Sequence, residues 1–178
     1  MSKILCTGGA GFIGSHLADE LIDLDHDVVI IDNLFTGNID NINPKAKFYN
    51  KDITENLSEI FEKEKFDYVY HQAAQINLRT SFDIPAFDAH TNIFGSLNII
   101  DNCIKHNIKK FIFASSGAIY SSNAKLPYSE NSLADPSSPY GLSKLTVEKY
   151  LNILKNKLDY VCLRYSNVYG PRQNSKSE

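Results

Sequence analysis

Six short runs rich in β-branched and aromatic residues, KILCT, DVVIID, KFYN, DYVYH, KFIFAS and DYVCLRY, are spread along the chain with segments of helical periodicity between them. The helical period runs over 12–24, 55–64, 86–106 and 139–156. Strands joined through helices do not form hairpins; each helix carries the chain back to the starting edge of the sheet. The alternation therefore predicts an α/β fold, a doubly wound parallel sheet with helices on its faces. DVVIID, KFIFAS and DYVCLRY are apolar enough to be interior strands buried on both faces. The polar, proline-containing stretch from Ser121 to Ser138 reads as a long loop near the carboxyl edge of the sheet, where such loops serve a site.

Between the first strand and the first helix lies TGGAGFIG, with Gly8, Gly11 and Gly14 at the spacing GxxGxxG. Missing side chains there allow a tight turn, close approach of a pyrophosphate and close packing of helix on sheet. The helix start adds free N–H groups and a positive dipole end. A Rossmann-like dinucleotide site is the expectation. Asp32 ends the second strand, placed to accept hydrogen bonds from both ribose hydroxyls, and the residues after it are Asn33, Leu34 and Phe35, with no arginine or lysine for a 2′-phosphate. That favours NAD. Asp52 and Ile53 follow the third strand; they read either as contacts to the adenine or as a helix cap leading into Thr54 and Glu55.

Tyr140 and Lys144, in SPYGLSK, stand one helical turn apart on one face, an arrangement in which the ammonium would hold the phenol partly ionised near neutral pH. Ser115 and Ser116 end the fifth strand, and the carboxyl ends of strands line the crevice of such a sheet. All three hydroxyls, those of Ser115, Ser116 and Tyr140, are expected to converge there.

The remaining composition narrows the partners. At 178 residues and 43% apolar content the chain is long enough for one cored domain, taken as residues 1–178. The net charge of −3 comes from interspersed acids and bases without a polybasic block, so a small-molecule ligand is expected and neither nucleic acid nor membrane. No run reaches the length of a membrane span and Lys3 leads straight into a short strand, which predicts a cytoplasmic protein. Cys6, Cys103 and Cys162 lie far apart among apolar neighbours and read as reduced core residues; the five histidines show no ligand spacing, so no metal is expected. After the sixth strand the sequence runs NVYGPRQNSKSE, with no second lobe to close over a ligand, which reads as a fragment or a minimal version of the fold.

The ordered set TGGAGFIG, DNLFTG, DI, HQAAQ, the Asn92 to Gly95 step, SSGAIY, PYGLSK and LRYSNVYGPRQ resembles the extended short-chain dehydrogenase/reductase superfamily over essentially the whole chain. Within it the sequence is most similar to the UDP-glucose 4-epimerases. The resemblance implies catalytic roles for Ser116, Tyr140 and Lys144. It implies NAD contacts from Gly8, Gly11, Phe12, Ile13, Gly14, Asp32, Asn33, Asp52, Ile53, Gln72, Ala73, Ala74, Gln75 and Tyr165, with Lys144 on the nicotinamide ribose and Asn92 supporting the site. Substrate contacts fall on Ser116, Tyr140 and Asn167. The 4,6-dehydratases of the superfamily use Thr-Asp-Glu after the strand serine; here Ser116, Gly117 and Ala118 stand in that stretch, which disfavours water elimination. Ser166 replaces a phenylalanine usual in the family, and Ser121 a glycine. The resemblance also implies a UDP-sugar substrate, a homodimer packed through the helices at 86–106 and 139–156, and a carboxyl-terminal lobe that supplies most sugar contacts and is absent here. Net oxidation or reduction of a nucleotide sugar, and a non-catalytic dinucleotide-binding module, stand as alternatives.

Overall fold

The computed structural model describes residues 1–173. Its strands are β1 (Lys3–Thr7), β2 (Asp27–Asp32), β3 (Lys47–Asn50), β4 (Tyr68–His71), β5 (Lys110–Ser116) and β6 (Tyr160–Tyr165). The helices are α1 (Phe12–Asp23), α2 (Ser58–Glu64), α3 (Leu78–Asp83), α4 (Pro85–Ala89), α5 (Ser96–Lys105) and α6 (Pro139–Ile153). The strands form one sheet in the order β3-β2-β1-β4-β5-β6, every neighbouring pair parallel. The order reverses direction between β1 and β4, which opens a crevice at their carboxyl ends.

Side-chain alternation divides the core in two. Leu5, Val29, Ile31, Val69, Phe111 and Phe113 face α2, α5 and α6, where they meet Phe61, Ile99, Ile100, Cys103, Val147 and Leu151. Ile4, Cys6, Val28 and Ile30 face α1 and its Ala18, Leu21 and Ile22. β2 and β5 are interior as expected, but β6 is the edge strand, and Val161 and Leu163 on it are exposed. The apolar run DYVCLRY is therefore not buried on both faces: its Tyr160, Cys162 and Arg164 side faces α6, while on the other side Val161 and Leu163 are part-exposed and Tyr165 turns towards Gln72. Cys6 and Cys103 are core residues as read; Cys162, on that edge, is only half-buried.

The helix expected over 86–106 is present but not uniform: α4 and α5 are joined through a wider, π-helical segment, His90–Gly95, a distortion common at functional sites. Gly95 lies so close to Ile53 that a Cβ would stand 2.6 Å from its Cδ1. The helix expected from 55 starts at Ser58, because Asp52 and Glu55 close a turn of their own: Asp52 accepts from Thr54 N–H at 2.8 Å and Glu55 accepts from Asp52 N–H at 2.9 Å. Helix α3 had no apolar period to reveal it; it is started by Asn77, whose Oδ1 accepts from Thr80 N–H at 2.8 Å.

At the opposite edge of the sheet from the crevice, Glu64 is buried and draws together the starts of β1 and β3. It pairs with Lys3 at 2.7 Å and with Lys47, and accepts from the Tyr49 hydroxyl at 2.5 Å. Burial favours the neutral acid, but these three donors outweigh it and hold the carboxyl down at about 2. A folded-state value below the unfolded one means stability present above the unfolded value, near 4.5, and lost as pH falls towards about 2. Glu64→Gln is expected to lower unfolding free energy at pH 7 by about 2 kcal/mol, after discounting for solvent at the part-exposed lysines. Urea titrations should show this gap closing between pH 4.5 and 2.

Candidate functional site

A cleft of about 1430 Å³ lies over the carboxyl ends of the strands. One end is the loop from β1 to α1. Gly8 there has φ +72°, a left-handed value, and Gly14 packs so tightly on the loop that a Cβ would stand 2.1 Å from Gly8 O. No side chain caps α1, so the N–H groups of its first turn, at Phe12, Ile13 and Gly14, remain for a ligand. A Cβ on Gly11 would meet only Gly8 O, at 3.2 Å, and otherwise project into open space. This cradle fits the diphosphate of a dinucleotide.

Asp32 is almost buried; its Oδ2 accepts from Ala10 N–H at 3.0 Å and its Oδ1 from Leu34 N–H at 2.8 Å. The carboxylate thus braces the glycine loop while each oxygen keeps acceptor capacity for a hydroxyl. Asn33 reaches across to Asp52, Nδ2 donating to Oδ2 at 2.6 Å. Burial of Asp52 opposes its charge, but the bonds from Thr54 and Asn33 prevail and hold the carboxyl below its ordinary range. Of the two readings of Asp52, the bonding resembles a cap, although it closes a turn and no helix starts there. Ile53 lines the same end of the cleft, and Gln72, Ala73, Ala74 and Gln75 form the wall after β4.

Ser116, Tyr140 and Lys144 meet on the floor. Ser138 caps α6, its Oγ accepting from Gly141 N–H at 3.1 Å, and Pro139 begins the helix. This fixes the phase at which Tyr140 and Lys144 face the cleft. Gly141 permits the approach, since a Cβ there would stand 2.3 Å from Ala118 O. Ser116 Oγ accepts from Ala118 N–H at 3.1 Å, which leaves its own hydrogen for the Tyr140 oxygen. Ser115 does not join them. One residue along the strand its side chain points to the other face, where its hydroxyl donates to Glu148 at 2.5 Å; Glu148 also holds Arg164 at 2.8 Å.

Lys144 is buried, its ammonium donating to Ala114 O at 2.9 Å and lying 5.0 Å from the Phe113 ring centre and 5.8 Å from that of Tyr140. Burial lowers it to about 8. Tyr140 departs from expectation: burial raises its phenol above the ordinary value, against the Ser116 hydrogen bond. In the protein by itself, desolvation outweighs any help from Lys144.

Asn92 does not line the cleft. It lies behind the wall, where its Oδ1 accepts from Gln75 N–H at 2.8 Å and its Nδ2 donates to Gln75 O at 2.9 Å. His71, which carries no assignment from the sequence, is a second support. Ser96 Oγ donates to Asn92 O at 2.6 Å and so accepts from His71 Nε2–H at 2.8 Å; the other ring nitrogen, Nδ1, then accepts from Thr7 Oγ1 at 2.7 Å. Burial, with a smaller push from Lys144, lowers His71 to about 3, so the ring is a neutral tie between β1, β4 and the π-helical segment. Tyr165 and Asn167 reach the cleft from beyond the fifth strand. The chain after β6 then crosses to α1, where Pro171 O bonds His16 at 3.0 Å and Arg172 pairs with Asp19 at 2.7 Å. Val168, Tyr169 and Arg172 on this segment line the cleft; they stand within the run LRYSNVYGPRQ, but the sequence assigns them no role, as their placement depends on that crossing.

A sequence profile described as the NAD dependent epimerase/dehydratase family matches residues 4–178. A putative UDP-glucose 4-epimerase of Methanocaldococcus jannaschii is 51% identical over 180 residues, which cover 98% of this chain and 59% of that protein. A solved UDP-glucose 4-epimerase of Thermotoga maritima with UDP-glucose superposes with a TM-score of 0.95 at 46% identity, covering 97% of this chain and 58% of the other. The UDP-glucose 4-epimerase of Thermus thermophilus in complex with NAD gives 0.93 at 37% identity, covering 99% and 58%. The chain thus spans about three fifths of the length of these relatives.

The raised phenol of Tyr140 is directly measurable. The absorbance of tyrosinate, taken as the difference between the chain and its Tyr140→Phe variant, is expected to have its midpoint above 10. A midpoint near neutrality would mean that Lys144, and not burial, governs the group.

Proposed function

The chain belongs to the NAD dependent epimerase/dehydratase family, and we propose that it is the NAD-binding domain, residues 1–178, of a UDP-sugar 4-epimerase of the UDP-glucose/UDP-galactose type. One observation carries this reading: Ser116, Tyr140 and Lys144 share one cleft with an uncapped glycine-rich helix start and the strand-end Asp32. The relatives named as UDP-glucose 4-epimerases, and the solved complexes with UDP-glucose and with NAD, support the substrate and cofactor classes.

In this reading Gly8, Gly11, Phe12, Ile13 and Gly14 hold the diphosphate of NAD, and Asp32 with Asn33 takes the adenosine ribose. Asp52 and Ile53 lie at the adenine, and Gln72 to Gln75, Lys144 and Tyr165 line the nicotinamide half, with Asn92 behind them. Bound NAD supplies hydride exchange at C4 of the sugar, so the reaction passes through a 4-keto sugar. The chain's own part is proton transfer. Tyr140, once ionised, takes the proton of the sugar 4-hydroxyl, and Ser116 shares it through the hydrogen that it directs at the phenol oxygen. Burial keeps Tyr140 protonated in the protein alone, so the phenolate forms only when further positive charge is brought against it. Lys144, charged below about 8, favours that ionisation but does not bring it about in the protein alone. The turn Gly117–Ile119 after Ser116 carries no acid, which supports epimerisation over water elimination. Asn167 is assigned to the nucleotide-sugar diphosphate.

A homodimer is part of the proposal. The apolar stripe of α5 and α6 is largely core, as Ile99, Ile100 and Leu151 are fully buried, but Leu142, Tyr150 and Ile153 on α6 and Phe94 beside α5 are exposed and support pairing of these helices. The unpaired cysteines support a cytoplasmic location.

Denaturing the purified chain should release near-stoichiometric NAD. Interconversion of UDP-galactose and UDP-glucose should fall by about 10²–10⁴-fold in Tyr140→Phe, with the bound NAD unchanged. Turnover that survives this substitution would sink the assignment, and NAD retained without any turnover would favour a dinucleotide-binding module.

A further inference from the structure

Asp88, on α4, has no exposed surface. A buried carboxylate is costly unless its acceptor sites are filled. Here Oδ1 accepts from Gln75 Nε2 at 2.9 Å and Asn92 Nδ2 at 3.0 Å, and Oδ2 accepts from Ser143 Oγ at 2.5 Å. Neither amide can be turned round. Asn92 Oδ1 is committed to Gln75 N–H, and Gln75 Oε1 to Asn77 N–H at 2.5 Å, while Gln75 Nε2 also donates to Asn77 O at 3.0 Å. Both therefore present N–H groups to Oδ1 of Asp88, while Oδ2 takes the Ser143 hydroxyl, so the carboxyl is met by three donors.

Ser143 directly precedes Lys144, whose buried ammonium has a carbonyl and two ring faces as neighbours. Among the described residues, Lys144 is in no contact ion pair. The titratable groups that act on it are Tyr140 on its own helix, neutral His71 from β4 and Asp88 from α4; Glu148, the next acid along α6, turns to the other face of β5. Glu148 is already held by Arg164 and Ser115. Asp88 is thus the anion left to balance Lys144.

We propose that Asp88 is a positioning residue of this site: the buried counter-charge that keeps Lys144 protonated and, through Ser143, the joint that ties α6 to the wall of Gln75 and Asn92. The proposal rests on the reading of Tyr140 and Lys144 as the proton-transfer pair. In keeping with it, burial lowers Lys144 while the charge of Asp88 raises it, and burial followed by Ser116 governs Tyr140, with Asp88 adding to the rise. Without the charge of Asp88, both groups should lose their protons at lower pH.

The test follows the Lys144 ¹³Cε resonance of the labelled full chain through a pH titration, the signal being identified by its loss in Lys144→Arg. Asp88→Asn, nearly the same shape without the charge, should move the midpoint down from about 8 by ~1 pH unit. Ser143→Ala cuts the joint and keeps the charge, so its midpoint should stay near the parent's. An unmoved midpoint in Asp88→Asn, or an equal shift in Ser143→Ala, would overturn the proposal. If Asp88→Asn does not fold, the ¹³Cγ shift of Asp88 in the unmodified chain decides: a carboxylate at pH 7 upholds the counter-charge and a protonated acid overturns it. These readouts need no turnover. Their failure leaves the 4-epimerase reading standing, whereas activity retained by Tyr140→Phe would remove that reading without moving the Lys144 midpoint.

Discussion

Because all six strands run in one direction, every carboxyl end falls on the same edge of the sheet, and the reversal of strand order between β1 and β4 opens that edge into a cleft. The rest of the site depends on this. The glycine loop, Asp32, the wall at 72–75 and the serine at the end of β5 belong to four different strands, distant in sequence, yet each stands where its strand ends. At the amino edge of the sheet the Glu64 cluster ties the start of β1 to β3 through Lys3, Lys47 and Tyr49.

The end of the cleft at Lys144 is built on buried charge, which is costly in a small α/β domain. Lys144 is held by a carbonyl and two ring faces, and Asp88 by three neutral donors, without direct contact between the two charges. Hydrogen bonds of neutral His71 and Asn92 extend this network behind the wall. Burial also raises the Tyr140 phenol above its ordinary value in the protein by itself.

Much of this is legible in the sequence where chemistry and spacing coincide. The glycine triplet, Asp32 at a strand end and the Tyr140–Lys144 pair line the cleft as read, since each lies within one strand-turn-helix unit. Ser115 departs from its expected place because a strand alternates its side chains, and only the register shows that Ser116 takes the cleft side. DYVCLRY has the apolarity of an interior strand and is nevertheless an edge, as strand order is not written in any local pattern. Asp88 carries no signal at all: a lone acid in a helical period looks like a solvated face until its neighbours are known.

The sequence by itself determined the six strands, their parallel winding and the main helices between them, because periodicity, glycine and proline act over a few residues. Only the tertiary structure decided which hydroxyls meet, how far the Tyr140 phenol is desolvated and which carboxylate faces Lys144. Those depend on packing between segments far apart in the chain, such as Ser143 against Asp88, and burial sets the energy of a charge only once that packing exists.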